Sequence, residues 1–152
     1  MDVRDIMTGD LDICTPDSNL RDVALLMAQD DIGSVPIVDS RQSMKPVGII
    51  TDRDITCRLV AQGINPLEKM ARDAMSDRVV TARPDMSIEQ CLDLMERNQI
   101  RRIPVVDKSG RLCGIIAQAD IAKKLDSEKT AELVRDVSQP NDLQQYQSGA
   151  LH

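Results

Sequence analysis

The sequence predicts a mixed α/β (α+β) fold made of two β-α-β-β-α units packed with pseudo-two-fold symmetry. Two observations carry that prediction. The first is an internal repeat. Arg4-Asp5-Ile6-Met7-Thr8 returns as Arg72-Asp73-Ala74-Met75-Ser76, a displacement of 68 residues from Arg4 to Arg72, and Pro16-Asp17 returns as Pro84-Asp85. The second is a glycine-led junction, Gly48-Ile49-Ile50-Thr51-Asp52-Arg53-Asp54, echoed by Gly114-Ile115-Ile116-Ala117-Gln118-Ala119-Asp120. The displacement there falls to 66, because the loop Ser40–Pro46 is two residues longer than its counterpart.

Each unit opens with a short helical lead-in, Val3–Met7 or Met70–Met75. A short strand is predicted next, over Asp12–Cys14 and Val79–Thr81. The helix that follows places Leu20, Val23, Ala24 and Met27 at helical spacing, with Ser18 positioned to cap it. Ser87 takes the corresponding position before Ile88, Cys91, Leu92 and Met95. Two strands come next, Ser34–Val38 and Val47–Thr51, matched by Arg102–Val106 and Leu112–Ala117. These runs lack clean alternation, as expected of strands covered on both faces. Pro36 and Pro104 within them predict edge positions or a local irregularity. A closing helix matches Ile55 and Leu59 to Ile121 and Leu125. The predicted organisation is a first unit over 1–63, a linker over 64–70, a second unit over 71–125, a helix over 126–137 and a mobile tail over 138–152.

Composition narrows the function. Hydrophobic residues at 41% and charged residues at 29% fit a globular domain. No apolar run approaches the ~18 residues that span a bilayer, and Met1-Asp2-Val3-Arg4-Asp5 does not read as a signal peptide, so a cytoplasmic location is expected. A net charge of -6 argues against general nucleic-acid or anionic-membrane binding. Tyr146 is the one aromatic residue, so a bound base would lie between aliphatic side chains. The four cysteines form no C-x-x-C pair and the one histidine is His152, so no metal site is expected. Cys14 and Cys113, on predicted strands of opposite units, are candidates for proximity. With no Ser/His or Cys/His pairing and no phosphate-cradling glycine loop, an enzyme is not expected.

Thr51 to Asp54 sit where a strand hands over to a helix start, which favours an anion. Thr51-x-x-Asp54 is also a capping box, worth on the order of 1 kcal/mol without any ligand. The two readings are compatible. Arg101 and Arg102 are adjacent in an acidic chain at the start of a strand; alternation turns them to opposite faces, and a guanidinium can bind phosphate with two hydrogen bonds.

The double unit with Ile6-Met7-Thr8, Ile32-Gly33-Ser34-Val35-Pro36-Ile37-Val38-Asp39 and Gly48–Ile55 resembles the cystathionine β-synthase (CBS) domain family, two units of which form a Bateman module. The resemblance extends over about residues 1–125 and is to stand-alone bacterial pairs, including those of the hypoxic-response type. It implies a regulatory module that needs no cofactor. Its ligand would be adenosine-containing (AMP, ADP, ATP or S-adenosylmethionine), held in the cleft between units, and a protein of unknown identity would be regulated. In the family pattern the aspartate holds the ribose and the hydroxyl residue meets the phosphate, roles that Asp54 and Thr51 match. The opposite unit would supply Val79, Val80, Arg101, Arg102, Ile103 and Pro104. A second, weaker site would join Asp120 to Ile13, Cys14, Gly33, Ser34, Val35 and Pro36. Ala117 lacks the hydroxyl there, and Gly33-Ser34 replaces the arginine pair. The alternative is a structural or redox-responsive interaction module without a nucleotide.

The resemblance also implies a homodimer. Light scattering is expected to give about twice the 16.8 kDa chain mass; a value near the chain mass itself would refute the dimer.

Overall fold

A computed structural model describes residues 1–137; the tail expected over 138–152 lies outside them. The element order is α1 (Leu20–Asp30), β1 (Ser34–Val38), β2 (Pro46–Thr51), α2 (Asp52–Arg58), α3 (Ile88–Asn98), β3 (Arg102–Val106), β4 (Leu112–Ala117) and α4 (Gln118–Val137). Single 3₁₀ turns at Val3–Asp5 and Ala71–Asp73 form the lead-ins. β1 pairs antiparallel with β2, and β3 with β4.

The opening strand of each unit shrinks to one residue. Cys14 bridges Ile37 and Ala82 bridges Val105, both in parallel, where Asp12–Cys14 and Val79–Thr81 were expected as strands. Cys14 N–H donates to Pro36 O at 3.1 Å and Cys14 O accepts from Val38 N–H at 2.9 Å. Ala82 repeats this against Pro104 and Val106. Pro16 and Pro84 follow two residues later and have no N–H with which to extend the ladder.

The two strand prolines are accommodated by the same arrangement. Pro36 faces Ile49 across the β1–β2 pair, but Ile49 exchanges both of its backbone hydrogen bonds with Ser76 (2.9 and 2.8 Å). Pro36 therefore sits where no N–H is required. Pro104 opposite Ile115 is equivalent, with Ile115 bonded to Thr8 at 2.9 and 3.0 Å. The register of each pair shifts immediately afterwards, between Ile37 and Val38 and between Val105 and Val106. β1 and β3 are buried along their last four residues, as strands covered on both faces must be.

The caps and closing helices differ in detail from expectation. The N-cap of α1 is Asn19, not Ser18, and its side chain makes no capping bond. The Ser18 hydroxyl instead accepts from Thr15 N–H at 3.0 Å. Ser87 does cap α3, in a reciprocal box with Gln90 (3.1 Å each way). Ala24, expected on the buried stripe of α1, is exposed. The helix expected over 126–137 is the continuation of α4, since neither glycine nor proline interrupts the chain there.

The units exchange their lead-ins. Val3 is buried with Ile88, Cys91, Met95, Ile103 and Ile116. Ala71 and Ala74 are buried with Leu20, Val23, Ile37 and Ile50. The exchange requires close backbone approach at two glycines. A Cβ on Gly48 would lie 2.7 Å from Ser76 O, and one on Gly114 would lie 2.8 Å from Met7 Sδ and 3.1 Å from Thr8 O.

Gly48→Ala must push the backbone at Ser76, whereas Gly114→Ala first meets a flexible thioether. Gly48→Ala is expected to cost about 1–3 kcal/mol by the usual scale of overpacking, and Gly114→Ala less. Urea unfolding of both variants checks the order; equal losses would contradict the strand-crossing account.

Candidate functional site

The exchange carries the chain from Ser76 directly past the start of α2. A cavity of about 410 Å³ opens there, a size within the ordinary range for small-molecule sites. From the first unit it is lined by Ile49, Thr51, Asp54 and Arg58. From the second come Arg78, Val80, the end of α3 at Arg97 and Asn98, and Gln99 and Ile100 beyond it. Ile49, Val80 and Ile100 give it aliphatic walls.

Thr51 and Asp54 form the reciprocal cap of α2. Asp54 N–H donates to Thr51 Oγ1 at 3.0 Å, and Thr51 N–H donates to Asp54 Oδ2 at 2.9 Å. Neither group is exhausted by this. The Thr51 hydroxyl keeps its own proton to donate, and the Asp54 carboxylate keeps lone pairs to accept. Arg58 Nε lies 3.6 Å from Asp54 Oδ1, and its guanidinium also donates to Met75 O at 3.1 Å. One carboxylate, the hydroxyls of Thr51 and Ser76, the amides of Asn98 and Gln99 and three guanidiniums thus surround an aliphatic-walled space. That set can hold a diol and a phosphate while an apolar ring lies between Ile49, Val80 and Ile100.

The arginines on this cavity are Arg58, Arg78 and Arg97, not the expected pair. Arg101 is exposed and lines an adjoining hollow with Gln99, Ile100 and Gln118. Arg102 turns the other way and donates to Ser34 O at 3.3 Å. Val79 is half-buried beside Val80, while Ile103 and Pro104 are buried within β3. One signal for Arg78 lies in the repeat: displaced by 68 residues, Arg78 stands where the first copy has Asp10, a reversal of charge. Arg97 lies in the last turn of α3, a segment that reads only as a helix end.

At the second expected site, Asp120 is exposed in the first turn of α4. Ile13 is half-buried, and Cys14, Val35 and Pro36 are buried in the first unit. Gly33 O accepts from Asp52 N–H at 3.0 Å, and Ser34 O is engaged by Arg102. Close by, Asp12 shares a hydrogen bond with Asp30 and feels Asp10. Burial, followed by these neighbours, pushes its pKa above the ordinary carboxylate value, against the opposing pull of Arg102. Among the described residues no group of three or more His, Cys, Asp or Glu forms a metal site.

Cys14 lies in the first core and Cys113 packs against the second. All four cysteines are free thiols. Burial pushes the thiols of Cys14, Cys91 and Cys113 up, away from the reactive thiolate form.

The CBS domain family model matches residues 3–61 and 71–127. The chain belongs to the CBS domain family. Hypoxic response protein 1 of Mycobacterium tuberculosis is 32% identical over 137 residues, covering 90% of this chain and 94% of that protein. A crystal structure of hypoxic response protein I with two coordinated zinc ions aligns at a TM-score of 0.72 and 33% identity, over 81% of this chain and 98% of the other. The uncharacterized protein MK0525 of Methanopyrus kandleri is 42% identical over 118 residues; the match spans 78% of this chain and 57% of that longer protein. The CBS domain pair of protein MJ0100, solved in complex with 5′-methylthioadenosine and S-adenosyl-L-methionine, aligns at a TM-score of 0.73 and 28% identity, over 84% and 98% of the two chains.

The Asp12 environment gives a signed pH dependence. A carboxyl whose folded pKa is raised contributes its full stability below the unfolded value and loses it as pH rises through the folded one. Asp12→Asn keeps a hydrogen bond to Asp30 and removes the charge. The variant is expected to melt higher than the parent at pH 7, with the gain shrinking below about pH 4. An equal gain at both pH values would contradict this environment.

Proposed function

We propose that the protein is a non-catalytic regulatory sensor that binds an adenosine-containing ligand (AMP, ADP, ATP or S-adenosylmethionine) between its two CBS units. The observation that carries the reading is the composition of one cavity: Thr51 and Asp54 from the first unit face Arg78, Val80 and Ile100 from the second. In this reading Asp54 accepts from the ribose hydroxyls, Thr51 donates to a phosphate or its equivalent, and the base lies among the aliphatic walls. The solved MJ0100 pair with two adenosine-derived ligands supports the ligand class.

A ligand touching both units changes the balance between their relative packings by its difference in affinity for them, and by no more. The output is therefore a surface altered by small rearrangement and read by a second protein. A homodimer in the cytoplasm is part of the proposal, and the protein needs no cofactor for catalysis because it performs none.

Calorimetry on protein stripped of bound small molecules tests the reading. At least one of the four ligands is expected to bind, and at 100 times its dissociation constant to stabilise the fold by ~2.7 kcal/mol. Asp54→Ala is expected to lose most of the binding and Asp120→Ala less. Silence with all four at millimolar concentration would sink the proposal.

A further inference from the structure

We propose that Arg78, with Arg97 and Arg58, makes the Thr51/Asp54 cavity select adenosine ligands by their number of phosphates, while the pseudo-equivalent position rejects them, so that each chain takes up one nucleotide. The inference deepens the reading of the cavity given above and rests on it.

Three guanidiniums face this cavity against the single carboxylate of Asp54. They differ in how far they are committed elsewhere. Arg58 lies beside Asp54 and also donates to Met75 O. Arg97 pairs with Asp93 at 2.9 Å on the solvent side of α3, with both side chains well exposed. Among the described residues Arg78 forms no ion pair. An unpaired guanidinium on a cavity that already offers a hydroxyl donor is a charge reader. It adds little for a neutral ribose and base, and more with each phosphate oxygen it meets.

The repeat supplies an internal control. Displaced by 68 residues, Arg78, Val80 and Asn98 become Asp10, Asp12 and Asp30. Asp12 lies within interaction range of both Asp30 and Asp10, and the arginine that opposes them at Asp12, Arg102, also donates to Ser34 O. Ala117 stands there in place of Thr51. The same scaffold thus sets three guanidiniums against one carboxylate at one position, and at the other gathers Asp10, Asp12 and Asp30 with Asp120 against Arg102 and Lys124, the counterpart of Arg58. A polyphosphate is attracted to the first and repelled by the second, because like charges in close range oppose binding.

The test is calorimetry in magnesium-free buffer with adenosine, AMP, ADP and ATP, on ligand-stripped protein and on Arg78→Ala and Arg78→Lys. Affinity is expected to rise with each added phosphate, at one nucleotide per chain. Losing one charge-assisted contact should weaken ATP about tenfold in Arg78→Ala, leave adenosine unchanged, and be partly restored in Arg78→Lys. Arg78 is exposed, so the variants should fold; an unchanged melting temperature without ligand verifies this. Equal affinity for adenosine and ATP, or two nucleotides of similar affinity per chain, would overturn the inference while leaving the adenosine reading in place. No binding by any of the four compounds would overturn both.

Discussion

Two pairs of backbone hydrogen bonds hold the molecule in its functional form: Ser76 with Ile49, and Thr8 with Ile115. Each joins the lead-in of one unit to a strand of the other. Each is possible only because the next position inward, Gly48 or Gly114, has no Cβ to block the approach. Much else follows from these contacts. They occupy the backbone groups that would otherwise have faced Pro36 and Pro104. They also bring Val3 into the core of the second unit and Ala71 into that of the first. Two units of about sixty residues, each marginal alone, become one structure because each completes the other.

The same exchange builds the cavity. From Ser76 the chain runs to Arg78 and Val80, which places second-unit side chains beside the Thr51/Asp54 cap. The cap gives α2 its start whether or not a ligand is present. Its unused hydroxyl proton and carboxylate lone pairs are what remain for recognition. In the proposed reading stability and binding share these two side chains, so Asp54→Ala would weaken a helix start as well as a ligand contact. Comparison of unliganded melting temperatures separates the two effects.

Much of this was legible in the residues. The β-branched runs at Ser34–Val38, Arg102–Val106 and Leu112–Ala117 became strands at those bounds, because burial on both faces leaves them no other use. The glycine-led junction was readable because its hydroxyl and carboxylate fall at capping spacing. Other features were not, for physical reasons. Asp12–Cys14 carries strand-like residues, but Pro16 denies them a ladder. Asn19 and Ser18 are equally suited to capping, and a local hydrogen bond to Thr15 draws Ser18 away. The exchange of lead-ins left no mark in either copy, since Val3 and Ala71 would be buried in either unit. Without it, the arginine pair at the start of the expected strand Arg102–Val106 drew the reading, although Arg78 directly precedes the expected strand Val79–Thr81. With it, Arg78 and Arg97 are the ones brought to the cavity.

The repeated scaffold with unlike charges is the feature that most shapes the account. A duplication supplies two related positions, and the differences Arg78/Asp10, Val80/Asp12 and Asn98/Asp30 make the second more acidic than the first. The most direct test is a crystal structure grown with ADP. The account predicts one nucleotide per chain, its ribose on Asp54, its phosphates between Thr51 and Arg78, and its base among Ile49, Val80 and Ile100. Nucleotide density beside Asp120 with the Thr51/Asp54 cavity empty would contradict it.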